Sequence, residues 1–211
     1  MSDKVIPLGG PGVTPRGRLI FAVDVAASRA PTWDTVCELQ SKMFASAVSV
    51  GELAVQFVSY NGMESCHASK WMTGDEQFEP PTDLIECHCR RHCTEVAQVF
   101  EHALREHDVA PIQAVALIAG AVDELLAFLA PMAQSLGERG VPLFIFHTDS
   151  SRDIGARRVF RHLALKSGGT YFESDPEKLS EQIGAVARVA VGDVGAIERI
   201  TGSAPLTDQS K

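Results

Sequence analysis

The sequence predicts an α/β fold, a three-layer α/β/α sandwich built on a mainly parallel six-stranded sheet, and three observations point to it. Short apolar runs of buried-strand type recur along the chain. Segments with apolar residues at helical spacing lie between them. One two-residue hairpin signal, Asn61-Gly62, interrupts this alternation and makes a single short edge strand antiparallel. A chain of 211 residues is long enough for one well-buried core of this kind, without a second domain.

Residues 1–17 carry Gly9, Gly10, Gly12, Gly17, Pro7, Pro11 and Pro15 and little that packs, so they read as a flexible arm. The folded domain is expected over 18–200. Residues 19–23 form the first strand, ending at Asp24. A helix follows over roughly 32–50, with Thr32 as cap and Trp33, Val36 and Leu39 on its apolar face. Residues 53–60 are the second strand, and 66–71 return antiparallel at the sheet's edge. Pro80-Pro81 prevents one continuous helix over 74–89, where Thr82 could cap a short one. An amphipathic helix over 94–107 buries Val96, Val99, Phe100, Ala103 and Leu104. The apolar strand 112–119 precedes a helix over 123–137, which Pro131 is expected to kink or divide. A strand at 142–147, a helix at 154–166 and a strand at 170–173 come next. The final helix opens at Pro176 with Asp175 as cap. Residues 201–211 form a polar, disordered tail.

A formal net charge of −8 argues against a nucleic-acid backbone or an anionic membrane as the main partner. No apolar stretch reaches the roughly 18–20 residues of a membrane span, and the first residues lack the apolar core of a secretory signal. The five cysteines are an odd number, and all but Cys37 fall between positions 66 and 93. That suits a reducing compartment, so a cytoplasmic protein is expected.

Asp24 is the most informative residue. It ends the first strand and is followed four positions later by Ser28. In an open parallel sheet, ligands bind beyond the strands' C-terminal ends, and an acid and an alcohol displayed there can ligate a hard cation such as Mg²⁺.

The stretches Phe21-Ala-Val-Asp-Val-Ala-Ala-Ser-Arg-Ala-Pro-Thr-Trp-Asp34, Ser65-Cys-His-Ala-Ser-Lys-Trp71 and Val99-Phe-Glu-His-Ala-Leu104 carry a family likeness. So do Ala116-Leu-Ile-Ala-Gly120, Gly140-Val-Pro-Leu-Phe-Ile-Phe-His147 and Ser167-Gly-Gly-Thr-Tyr-Phe172. In this order, over residues 18–190, the chain resembles the Rossmann-like von Willebrand factor type A (VWA) domain, and within it the small single-domain bacterial proteins. The resemblance implies a metal-ion-dependent adhesion site made of an Asp-x-Ser/Thr-x-Ser loop, a later threonine and an aspartate after the fourth strand. Asp24, Ser28 and Thr94 match its metal ligands, while Ala26 and Ala121 replace a hydroxyl and the aspartate. Mg²⁺ asks for six oxygens, and Asp24 alone brings a formal negative charge, so a weak or metal-free site is expected. Asp123 is read as a charge favoured at a helix N-terminus.

The main rival is a zinc-binding or redox-sensing module on Cys66, Cys87, Cys89, His92 and Cys93. Its spacing lacks paired C-x₂-C knuckles, which favours buried structural thiols. The glycine-rich stretch 8–12 precedes the first strand and so is no phosphate loop, and no Gly-x-Ser-x-Gly elbow occurs. An enzyme is therefore not expected. Asp149, Ser150 or Ser151 is read as the cap of the helix at 154, and Glu101, His102, Glu106 and His107 as a solvated face. Trp33 and Trp71 are read as partly buried residues or interface anchors. The expectation is a non-catalytic protein-binding module. It would use the loops 24–33, 90–94, 121–124 and 147–153, with Asp24, Ser28, Arg29, Thr94 and Asp149 facing the partner.

Overall fold

The structure is a computed structural model that describes residues 17–25, 33–61, 66–74, 76, 95–148, 153–173 and 175–202, with the backbone alone at Trp33, Asp34 and Pro176. Its elements are β1 (Gly17–Asp24), α1 (Trp33–Ala47), β2 (Leu53–Tyr60), β3 (Cys66–Thr73), α2 (Ala97–Val109) and β4 (Ala114–Ala119). They continue with α3 (Leu126–Glu138), β5 (Leu143–His147), α4 (Ile154–Lys166), β6 (Thr170–Glu173), α5 (Pro176–Ala190) and α6 (Ala196–Thr201).

The six strands form one sheet in the order β3-β2-β1-β4-β5-β6. All neighbours are parallel except β3, which runs antiparallel to β2 with Tyr60 opposite Cys66. Central strands are covered on both faces, which is why β1, β2, β4 and β5 are apolar almost throughout. Alternation along β1 sends Leu19, Phe21 and Val23 into the core shared with α1, α5 and α6. Ile20 and Ala22 point into the core under α2, α3 and α4. Phe21 and Phe100, both at most 1% exposed, each contribute about 1.5–3 kcal/mol by leaving water.

β1 begins two residues before its apolar run. Gly17 pairs with Leu53, and a Cβ there would lie 2.1 Å from the Ala190 carbonyl oxygen, so only glycine lets the end of α5 approach this closely.

Several local expectations change. Helix α3 runs unbroken through Pro131, because Pro131 and Ala127, four residues before it, both face solvent and the orphaned carbonyl can bond water. The α4 cap is Asp153, whose Oδ1 accepts from the Ala156 N–H at 2.8 Å, rather than Asp149, Ser150 or Ser151. Asp175 caps α5 as expected, accepting from the Glu177 N–H at 3.1 Å. A separate short helix, α6, follows a turn in which Gly192 has φ of 106°. Helix α2 begins at Ala97, three residues later than its periodicity suggests.

Candidate functional site

The C-terminal edge of the sheet collects the ends of β1, β2, β4, β5 and β6, and polar residues concentrate there. Asp24 (1% exposed), Ser59 (0%), Asn61 (4%) and His147 (0%) are all buried. Asp24 occupies the edge position expected of it, the last residue of β1, beside Tyr60 of β2. It is not displayed to solvent, however, because the central strand is walled in by β2 and β4. Alternation places it on the Ile20 and Ala22 side of the sheet. There it raises the proton affinity of Tyr60, whose phenol is driven up first by burial, then by Asp24 and Glu124. The Tyr60 hydroxyl donates to the Ile118 carbonyl at 3.2 Å, tying β2 to β4 across β1.

The loop after β4 departs most from the sequence reading. Ala121 offers only a methyl group, and Asp123 faces solvent as an N-terminal charge would. The acid that turns inward is Glu124. Its Oε1 accepts from the Ala97 N–H at 2.8 Å, at the start of α2, and its Oε2 is buried. Burial raises its carboxyl, and the backbone N–H groups of Ala97 and Val96 pull it back down. Helix α2 needs this acceptor because its own cap residue, Val96, has none on its side chain. Glu124 thus caps a helix from a different loop and sits where the helix dipole favours an anion. A valine at the first cap position is the signal in the sequence that an acceptor must come from elsewhere.

His147 braces the same loop from β5. Its Nε2 lies 3.2 Å from the Gly120 carbonyl, and its Nδ1 lies 3.0 Å from the Tyr171 hydroxyl. A carbonyl can only accept, so Nε2 carries a proton, and in the neutral ring Nδ1 then accepts from the tyrosine.

Ser28, Arg29, Thr94 and Asp149 lie outside the described residues, as do Cys87, Cys89, His92 and Cys93. Among the described residues no group of three or more His, Cys, Asp or Glu is placed to hold a metal ion. Asp24 is the one described ligand of the expected set, Ala26 and Ala121 bring no side-chain oxygen, and one Glu124 oxygen is committed to a backbone N–H. Cys66 is half-buried, and burial raises its thiol while Arg105 acts in the opposite direction. A raised thiol is a poor nucleophile and a poor metal ligand at neutral pH.

The face read as solvated is partly buried. His102 Nε2 lies 2.8 Å from the Gln56 Oε1 under the edge of the sheet, and burial lowers its pKa. Glu106 reaches across to Arg18 and Trp71. Helical spacing marks which face turns inward but not which long side chains fold back onto neighbouring strands.

No protein-family model and no curated protein matches the chain. Solved structures do. An aerotolerance-related membrane protein from Bacteroides fragilis, solved with multiple positions mutated to serine, is similar at a TM-score of 0.53 and 12% identity, over 83% of this chain and 98% of that one. The VWA domain of SpRpn10 is similar at 0.50 and 10% identity, over 83% and 97%. Proximal thread matrix protein 1 from the mussel byssus is similar at 0.52 and 15% identity, over 83% of this chain and 46% of that one. With its strand order, its lone antiparallel edge strand and an aspartate closing the first strand, the chain has the fold of a von Willebrand factor type A domain.

Proposed function

We propose that the chain is a non-catalytic protein-interaction domain that seats its partner on the C-terminal edge of the sheet, without depending on a divalent cation. The observation that carries this reading is a set of exposed apolar side chains at that edge. Leu125 and Phe128, at the start of α3, are 78% and 56% exposed, and Ile154, the first residue of α4, is 70% exposed. Large apolar groups next to binding loops are a feature of partner surfaces. Asp24 ends β1 at this edge, and the proposal assigns Ser28, Arg29, Thr94 and Asp149 to the same partner surface. The burial of Asp24 and the engagement of Glu124 in a helix cap favour recognition by shape and charge over metal coordination. No helix among the described residues is long and apolar enough to cross a membrane. A cytoplasmic, bacterial setting is part of this proposal.

Calorimetric titration with Mg²⁺ and Mn²⁺, on the wild-type chain and on Asp24→Ala, tests the cation-free version. The expected result is no binding heat in either protein and capture of the native partner that a chelator leaves unchanged. Stoichiometric heat that Asp24→Ala abolishes would overturn it. Partner capture that survives Asp149→Lys and Arg29→Glu together would overturn the choice of edge.

A further inference from the structure

We propose that the groove between α2 and α3 receives a lysine or arginine side chain of the partner, whose neighbouring apolar residues pack on the outer face of α3. This rests on reading the C-terminal edge as the partner surface and specifies the chemistry of what binds there. Helix α3 is apolar on both sides. Its inner side buries Leu129, Ala133 and Leu136 completely. Its first two turns nevertheless present Leu125, Ala127, Phe128 and Pro131 to solvent, where a helix covered on one face alone would carry polar residues.

Next to Phe128 lies an open groove of about 590 Å³, walled among the described residues by Glu95, Glu101 and Glu124 and by the guanidinium of Arg105. Arg105 is only loosely held, 4.0 Å from Glu101 and well exposed, and His102 is occupied by Gln56. Among the described residues, three carboxylates face one guanidinium, and although Glu124 gives one oxygen to the Ala97 N–H, the groove is left acidic beside an apolar rim. A lysine or arginine fits both halves of this surface. Its methylene stem lies along Phe128, and its charged head enters among the glutamates, with a cation–π contribution from the ring. The same carboxylates repel an anionic lipid surface or a nucleic-acid backbone. A partner segment in which basic residues alternate with leucine-like ones at helical spacing is the occupant that satisfies both the uncovered helix face and the charge.

The test uses the full chain and a fluorescently labelled amphipathic helical peptide of leucine and lysine, followed by anisotropy. An otherwise identical peptide of leucine and glutamate serves as comparison. Glu101→Lys and Phe128→Ala change the groove, while Glu38→Lys makes the same charge change on exposed α1, on the other face of the sheet. Circular dichroism confirms that each variant is folded. The lysine peptide should bind, more weakly at high salt, and each groove variant should weaken it by about tenfold or more, with Glu38→Lys within about twofold of wild type. Equal weakening by Glu38→Lys reduces the effect to general attraction and overturns the proposal. So does equal binding of the glutamate peptide, absence of binding, or preferential binding to phosphatidylglycerol vesicles. A native partner lost with Asp149→Lys but kept by Phe128→Ala overturns this groove while leaving the edge reading intact.

Discussion

The Arg18 guanidinium sits over the Trp71 ring, its carbon 3.9 Å from the ring centroid. Glu106 fixes the pair, because its Oε2 accepts from the Trp71 indole N–H at 2.9 Å and from the Arg18 guanidinium at 3.0 Å. Arg18 also donates to the Ala110 carbonyl. One carboxylate therefore joins β1, the edge strand β3 and helix α2. All three side chains are largely shielded from water, so this pair is worth more than an exposed ion pair. Glu106→Ala leaves an indole N–H and a guanidinium short of an acceptor and should destabilise the chain by about 1–3 kcal/mol. Glu106→Gln, which keeps an acceptor, should lose less. Urea denaturation of the two variants against wild type measures the difference.

Glu124 makes a separable prediction at the opposite edge of the sheet. Removing its side chain uncaps α2, and caps are worth about 0.5–2 kcal/mol. Glu124→Ala should accelerate amide hydrogen exchange in the first turn of α2, with Glu124→Gln close to wild type. Exchange that is unchanged in the alanine variant would show that the helix start is held by something else.

The chain has two tyrosines, Tyr60 and Tyr171, and burial raises the phenol of both. A raised folded value means that the native state holds its proton where the unfolded state has lost it. The resulting stability is complete below the ordinary tyrosine value of 10.0 and declines as pH rises above it. Ultraviolet titration should show little tyrosinate near pH 10, then a sharp rise that coincides with loss of helical circular dichroism. Smooth ionisation of both residues at their ordinary value, in folded protein, would contradict this burial.

Asp193 contributes to the acid limb. Arg199 and Arg188 both donate to its Oδ2, from α6 and from the end of α5, and hold its carboxyl down from 3.8 to about 2. A depressed carboxylate contributes stability that is present above its ordinary value and lost as pH falls toward the depressed one. Asp193→Asn should therefore lower the denaturation midpoint at neutral pH, with the gap to wild type closing between 3.8 and about 2. A gap that stays constant down to pH 2 would assign the effect to something other than the charge.

The sequence by itself determined the alternation of strands and helices, the antiparallel return of the strand that begins at Cys66, and the placing of Asp24 at the end of the first strand. These follow from local periodicity and turn chemistry, which neighbouring residues carry between them. The turn expected at Asn61-Gly62 lies partly outside the described residues, and Tyr60 pairs with Cys66 across five residues. The sequence also shows that positions 26 and 121 bring no side-chain oxygen, because alanine has none wherever the chain puts it. Only the tertiary structure decided that Asp24 is walled in between β2 and β4, and that Glu124 turns inward while Asp123 stays in water. The same holds for Glu106, 88 residues from Arg18 and 35 from Trp71, which leaves its helix face to clamp them. Such pairings join residues far apart in the chain. They are settled by which faces the packed sheet brings together and by which backbone N–H or guanidinium would otherwise be buried without an acceptor, and helical spacing encodes neither.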